Sequence, residues 1–246
     1  MEPLPTALEN RALPCRITNV LWYNPLGMTL ATSLLANSTR AIASPVVEAV
    51  ARVSILPLKI EQYHRMIDEK IVPEDATVEL LRGVVVRKDR SSPGEDPMSH
   101  SPRHRLVVSL LTALGARIKS TSHFMQIQSP VACPPDGAPE PDAAIIRGSE
   151  RDYGQHIPGP GDVTCVIEVA HTSLDRDRED KLPIYASAGV PQYLIINLSN
   201  DTIEVYTDPD PAGEQYRTRT TLERTQTLVL NSPGGSIEVP AVEVLP

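Results

Sequence analysis

The 246-residue chain is short of the features that announce a specialised scaffold: one Trp, one Phe, three Cys and 13 Gly. Cys15, Cys133 and Cys165 lie far apart with no CxxC pair. That excludes a disulfide framework or a cysteine zinc site and suits a reducing compartment. No stretch reaches the roughly 18 consecutive apolar residues of a membrane helix. The opening MEPLPTALEN has neither the basic segment nor the apolar run of a secretory signal. GxGxxG, the P-loop, HExxH and GxSxG are missing, so nucleotide cofactors, zinc proteolysis and lipase-type serine chemistry have no footing. Against so little glycine stand 24 prolines, which favour rigid extended joints over flexible linkers. The expectation is a cytoplasmic globular protein without a membrane partner.

Apolar residues make up 41% of the chain, enough for a packed core. With 31 acidic and 23 basic residues, the formal charge is -8. The charge is unevenly spread. Arg82 to Lys119 contains eight basic and three acidic residues, a local +5 that leaves -13 for the remainder. Such a segment suits a phosphate-facing surface, since neutralising phosphates supplies much of nucleic-acid affinity. On charge alone, a solvated loop and helix face is the better explanation.

Residues 1–57 read as a poorly defined extension, with a weakly helical small-residue run from Ala31 to Arg52. Residues 58–207 read as the main domain, and 208–246 as C-terminal strands completing or flanking it. Ile60, Tyr63, Met66 and Ile67 recur at helical spacing, which predicts a helix over Leu58–Lys70. Val78 to Leu81 and Val84 to Val86 flank Arg82-Gly83 as a hairpin. After a polar loop at 89–102, Leu106, Val107, Leu110, Leu111 and Leu114 mark an amphipathic helix over Arg103–Lys119. Strands are expected at 124–132, 142–146, 163–170, 192–198 and 202–207. Between the third and fourth, a helical segment runs to Ala188 with a break expected at Lys181–Pro183. This order gives an α/β fold: a mixed sheet flanked by helices.

Three carboxylates stand where they are costly. Glu79 lies inside the hairpin, Asp142 follows Pro141 and opens a strand, and Glu168 lies deep in VTCVIEVA. A carboxylate in a buried strand needs a partner, hydrogen bonds or a cation. Carboxylates converging from neighbouring strand ends are ligands that Mg²⁺ or Mn²⁺ prefers. Asp142 and Glu168 are therefore expected on adjacent strands within one ion's reach. Each alone is better explained by a strand-end or edge position; their order along the chain is the more specific feature.

Pro141-Asp142 with Val166-Ile167-Glu168-Val169 resembles the PD-(D/E)XK nuclease superfamily. PEPDAAIIRG at 139–148, VIEVAHTSLDRDREDKLPIYASAGVPQYLIINL at 166–198 and SPRHRLVV at 101–108 resemble the Uma-type family of restriction-endonuclease-like proteins, over about residues 58–207. The resemblance implies a restriction-endonuclease-like core and a Mg²⁺- or Mn²⁺-dependent endonuclease acting on DNA. It implies Asp142, Glu168, Lys181 and Glu79 as the catalytic set, with Asp142, Glu168 and Glu79 on the metal and the Val169 carbonyl as a further ligand. In the superfamily the lysine follows the strand glutamate by two residues; here Ala170 stands there, and the Uma-type pattern relocates the lysine to the next helix, at Lys181. Lys181 could instead be a surface residue pairing with Asp177 one turn earlier. His104, beside Arg103 and Arg105, matches the family's Ser-Pro-Arg-His and is a candidate for substrate contact, or simply a helix-start histidine on a loop carbonyl. The hairpin carries Arg82 where many relatives have an acidic residue, which would weaken the local negative field. A double-strand cut would call for a homodimer. The alternative function is a catalytically inactive nuclease-fold module that binds nucleic acid or regulates.

Overall fold

The structure, a computed structural model, describes residues 56–73, 75–88, 101–232 and 235–246. The N-terminal extension and most of the polar loop read at 89–102 lie outside the described residues. Two units are distinguished along the chain, Met1–Ser54 and Ile55–Pro246, and everything below concerns the second.

At its centre stands a six-stranded sheet, ordered β3-β4-β5-β6-β7-β8. Its strands are β3 (His123–Ile127), β4 (Ala143–Arg147), β5 (Val163–Ala170), β6 (Gln192–Asn197), β7 (Thr202–Asp210) and β8 (Gln215–Leu222). All pairs are antiparallel except β5–β6. Joining two parallel neighbours requires a crossover, and a helical run supplies it. The run comprises α3 (Leu174–Arg176), a π-helical turn (Asp177–Lys181) and α4 (Leu182–Ser187). β5 is buried along its whole length, which accounts for its near-continuous apolar sequence.

Alternation along these strands feeds two cores. Ala143, Ile145, Cys165, Ile167, Leu194 and Ile196 face one side, against α2 (Pro102–Ile118) and the C-terminal tail. Ala144, Ile146, Val166, Ala170, Tyr193 and Ile195 face the other, against Ile184 and Tyr185 of α4. α2 has Pro102 in its first turn, and the Ser101 hydroxyl accepts the His104 N–H at 3.2 Å, a helix start of ordinary chemistry. Its buried stripe is Val107, Leu111, Leu114 and Ile118, whereas Leu106 is exposed. The apolar face is thus narrower than the spacing suggested.

A separate hairpin, β1 (Val78–Leu81) with β2 (Val84–Arg87), turns through Arg82 and Gly83, both at positive φ. It docks along the chain before β4: Leu80 and Ala138 exchange backbone hydrogen bonds. Helix α1 (Ile60–Asp68) packs Ile60 and Tyr63 against this junction. The tail hairpin, β9 (Thr227–Ser232) with β10 (Gly235–Pro240), adds Leu228, Leu230 and Val239 to the first core.

Two local expectations are corrected. β3 ends at Ile127 rather than 132, because Gln128 takes a positive φ and prolines follow. The helical run does not break at Lys181–Pro183. Pro183 lacks an N–H to continue an α-helical ladder, and the π-helical turn immediately before it absorbs that loss. The run ends at Gly189 (φ +74), as the sequence predicts, where Val190 and Gly189 N–H groups bond back to Tyr185 and Ala186 carbonyls.

Candidate active site

The register of β4 and β5 brings the first two carboxylates together. Ala143 faces Ile167 and Ala144 faces Val166, so Asp142, one residue earlier, comes opposite Glu168. Both project towards the second core, since residues 142, 144 and 146 share a face with 166, 168 and 170. β4 has ended where Val169 would need it, and the Val169 N–H donates at 2.9 Å to Asp142 Oδ2 instead. His104 Nε2 lies 3.2 Å from the same oxygen. Gln128 Nε2 approaches Asp142 Oδ1 at 3.5 Å. Burial pushes the Asp142 carboxyl up, but the His104 contact, the Lys88 and His104 charges and the Val169 N–H together hold it far below the usual carboxylate range.

Glu168 is in the opposite condition. Burial pushes it up to about 8, with Lys181 opposing the rise and the charges of Asp177 and Asp142 adding to it. Its Oε1 accepts from Lys181 Nζ at 2.9 Å and from the Tyr185 hydroxyl at 3.0 Å. Lys181 is fully enclosed, not a surface residue. Burial alone would lower its pKa, yet Glu168, Glu79 and Asp177 outweigh this and raise it above the ordinary lysine value. The π-helical turn sets both Lys181 and Asp177 inward. Asp177 is itself buried, bonded to the Ser173 hydroxyl at 2.8 Å, and burial raises its pKa. Three buried carboxylates, Glu168, Glu79 and Asp177, therefore act on one enclosed ammonium.

Glu79 enters from β1 and is spoken for on both oxygens. Oε1 accepts from Arg176 Nη2 at 2.9 Å. Oε2 accepts the Glu140 N–H at 3.2 Å and lies 3.4 Å from Lys181 Nζ. Lys88, just after β2, donates to the Glu140 carbonyl. The hairpin thus holds both backbone polar groups of the residue two positions before Asp142.

The structure therefore gathers Glu79, Glu168 and Lys181 directly, and Asp142 with His104 beside them. Arg103 is turned elsewhere: its guanidinium binds the Leu198 carbonyl at 2.8 Å and the Asp201 carboxylate in the β6–β7 turn. Arg105 is exposed on α2. Arg82 reaches Glu214 at 2.6 Å, an exposed pair on the β7–β8 turn, which leaves it no role in the carboxylate cluster. The basic run from Arg82 to Lys119 is largely neutralised by the acidic remainder: Lys88 meets Glu140, Arg117 meets Glu243 and Lys119 meets Glu150. Tyr185 and Arg176 had escaped sequence reasoning, and Asp177 had entered it only as a surface partner of Lys181. The available signal was position: Tyr185 follows Lys181 by one helical turn, inside the same Lys-Leu-Pro-x-Tyr run.

The donor set fits a hard cation in part. Asp142 and Glu168 offer carboxylate oxygens on one sheet face, the chemistry Mg²⁺ and Mn²⁺ take. Glu79, with both oxygens on cations and an N–H, does not. Among the described residues no group of three or more His, Cys, Asp or Glu is arranged to hold a metal ion, and no helix is long and apolar enough to cross a membrane.

No curated protein matches the chain. Among solved structures it is similar to a protein from Anabaena variabilis ATCC 29413 described as a "putative nuclease belonging to DUF820". The TM-score is 0.55 at 11% identity, over 76% of this chain and 97% of that one, a likeness of fold. A family model described as "putative restriction endonuclease" matches residues 60–240, a span that takes in the whole carboxylate cluster and both hairpins. On that match, the chain belongs to the Uma2 family.

Proposed function

We propose that the protein is a metal-dependent endonuclease hydrolysing phosphodiester bonds of DNA, with Asp142 and Glu168 as the carboxylates that hold Mg²⁺ or Mn²⁺. The observation carrying this reading is the pairing of those two buried carboxylates on one sheet face, with Lys181 Nζ on Glu168 Oε1, in a family described as "putative restriction endonuclease". Burial raises the Glu168 carboxyl, and the charges of Asp177 and Asp142 add to the rise because the cluster's negative charge exceeds its enclosed positive charge. A divalent cation relieves such an excess.

When bound, the cation supplies Lewis-acid charge at a phosphoryl oxygen and lowers the pKa of a coordinated water. The protein's own groups do the rest. Val169 N–H and His104 keep the Asp142 carboxyl ionised and oriented. The Tyr185 hydroxyl and Lys181 together take Glu168 Oε1, leaving Oε2 for the cation with the Val169 carbonyl as a further ligand. Lys181 then orients the attacking water and offsets charge developing on the phosphate. Glu79 acts on Lys181 rather than on the metal, a revision of the ligand role the resemblance implies. The protein works as a cytoplasmic enzyme, and a homodimer would supply two sites for a double-strand cut.

A second reading, an inactive nucleic-acid-binding or regulatory module, draws on the lack of a three-residue metal cluster among the described residues. Calorimetry with Mn²⁺ on wild type and Asp142→Ala, beside a supercoiled-plasmid cleavage assay, separates the two. The enzyme reading expects Mn²⁺ binding and nicking that both vanish in Asp142→Ala. Metal-independent DNA binding without cleavage would leave the module reading in place.

A further inference from the structure

One cation of the cluster has no part in the scheme above. Arg176 is about one-quarter exposed, with its side chain at 28%, while the Glu79 carboxylate it holds is at 0%. Both its hydrogen bonds use a single nitrogen: Nη2 donates to Glu79 Oε1 at 2.9 Å and to the Arg87 carbonyl at 3.3 Å. Among the described residues, Nη1 and Nε make no hydrogen bond. Glu79 thus stands between two cations, an enclosed ammonium on one oxygen and a partly open guanidinium on the other. Lys181 has Glu168 as its nearer partner, at 2.9 Å, so Glu79 serves chiefly to pin the guanidinium, whose remaining N–H edge is open to a ligand.

The contrast with the other basic residues is physical. Arg82, Arg117 and Lys119 each meet an acidic side chain of their own. Arg176 shares its acid with Lys181. A guanidinium pinned by a buried carboxylate has already lost most of its rotamer freedom, so a further ligand binds it at low entropic cost. Its remaining planar N–H edge matches the two-oxygen face of a phosphate.

We propose that Arg176 is a phosphate-binding residue: it holds a backbone phosphate of the nucleic-acid substrate beside the Asp142–Glu168 pair, and Glu79 is the positioning residue that aims it. This rests on the nuclease reading above and adds a substrate contact outside the motif residues. Each phosphate neutralised by a protein cation releases counterions, so the contact has its own signature in salt dependence.

The test is fluorescence anisotropy of the full chain with a short labelled DNA duplex, in Ca²⁺, between about 50 and 200 mM salt. Arg176→Ala is expected to weaken binding several-fold and make the log–log salt slope shallower by about 0.9, the value for one phosphate. Its Mn²⁺ affinity should match wild type, and its melting temperature should fall only modestly because Glu79 keeps Lys181 and the Glu140 N–H. Arg176→Lys should keep the slope while binding more weakly, because the charge survives and the fork does not. Should the alanine variant melt early, Arg176→Gln, which can still donate to Glu79, should show the same shallower slope. A wild-type slope in the folded Ala or Gln variant overturns the assignment and leaves the nuclease reading intact. A wild-type protein that binds no DNA overturns both.

Discussion

Replacing Lys181 by Met, a neutral side chain of similar length, separates what the ammonium does for the fold from what it does for chemistry. Lys181 and its two carboxylate partners, Glu168 at 2.9 Å and Glu79 at 3.4 Å, are almost completely shielded from water. Removing one member of a buried ion pair leaves uncompensated charge and costs about 3–5 kcal/mol. Glu79 keeps Arg176 and the Glu140 N–H, and Glu168 keeps the Tyr185 hydroxyl, so the lower end of that range applies. For a unit of this size about 1 kcal/mol corresponds to about 2–4 °C of melting temperature. Lys181→Met should therefore melt at least about 6 °C below wild type. Pairing it with Glu168→Gln removes the orphaned charge, so the double variant should lose less stability than the two single variants summed. In cleavage, Lys181→Met should fall at least about tenfold, roughly 1.4 kcal/mol in the barrier, measured as the plasmid-nicking rate in saturating Mn²⁺. Lys181→Arg should rescue poorly, since a planar guanidinium does not replace a compact ammonium between two carboxylates. A Lys181→Met protein that melts within about 2 °C of wild type would refute the charge argument. One that nicks at the wild-type rate would refute the catalytic role.

The other expectations concern the frame around the site. Glu204 on β7 accepts from Arg178 and Tyr206 and lies 3.1 Å from Arg219. Burial raises its pKa, but the Arg178 and Tyr206 hydrogen bonds and the charges of Arg178 and Arg219 outweigh this and lower it. Its contribution to stability is thus complete above the unfolded glutamate value of about 4.3 and lost as pH falls through the lower folded value. Urea unfolding at a series of pH values should show Glu204→Gln less stable than wild type at pH 6, the gap closing below pH about 4; a gap of constant size would contradict this. Gly83→Ala should lower the melting temperature measurably, because Gly83 has φ +77 and an added Cβ would come 2.4 Å from Pro57 Cβ and 2.8 Å from Pro57 Cα. Tyr185→Phe keeps the ring against Tyr193, centroids 5.0 Å apart, but frees half of Glu168 Oε1. Calorimetry should show weaker Mn²⁺ binding, and unchanged binding would remove Tyr185 from the site.

The elements that carry the site were legible because each has a strong local cause. VTCVIEVA could hardly be anything but a central strand, and the observed β5 has the expected bounds. Arg82-Gly83 between two apolar runs is a hairpin turn on residue chemistry alone. Where the cause is not local, the sequence was silent. Nothing in Leu106 distinguishes it from Val107; only packing against the sheet buries one and leaves the other in water. The π-helical turn arises from the conflict between Pro183 and the helix it would otherwise interrupt. The tail strands gain their burial from a core built elsewhere in the chain, so their own pattern is weak.

The same limit governs the site, and Glu79 shows why. A carboxylate in a buried strand must be compensated, and that requirement can be read directly from TVELLRG. What compensates it cannot, because a divalent ion, a lysine and an arginine all meet the electrostatic demand. Lys181 and Arg176 are about a hundred residues further along the chain, and no spacing rule reaches that far. The fold decides the matter by laying the hairpin against the crossover run, where both cations are already waiting on the carboxylate's two oxygens. Asp142 differs in kind: it hydrogen-bonds a backbone N–H, an imidazole and an amide, and the Lys88 charge acts on it without a hydrogen bond of its own. Of these two carboxylates beside Glu168, Asp142 is the one with charge still to offer a cation, and Glu79 is the one that organises charge already present.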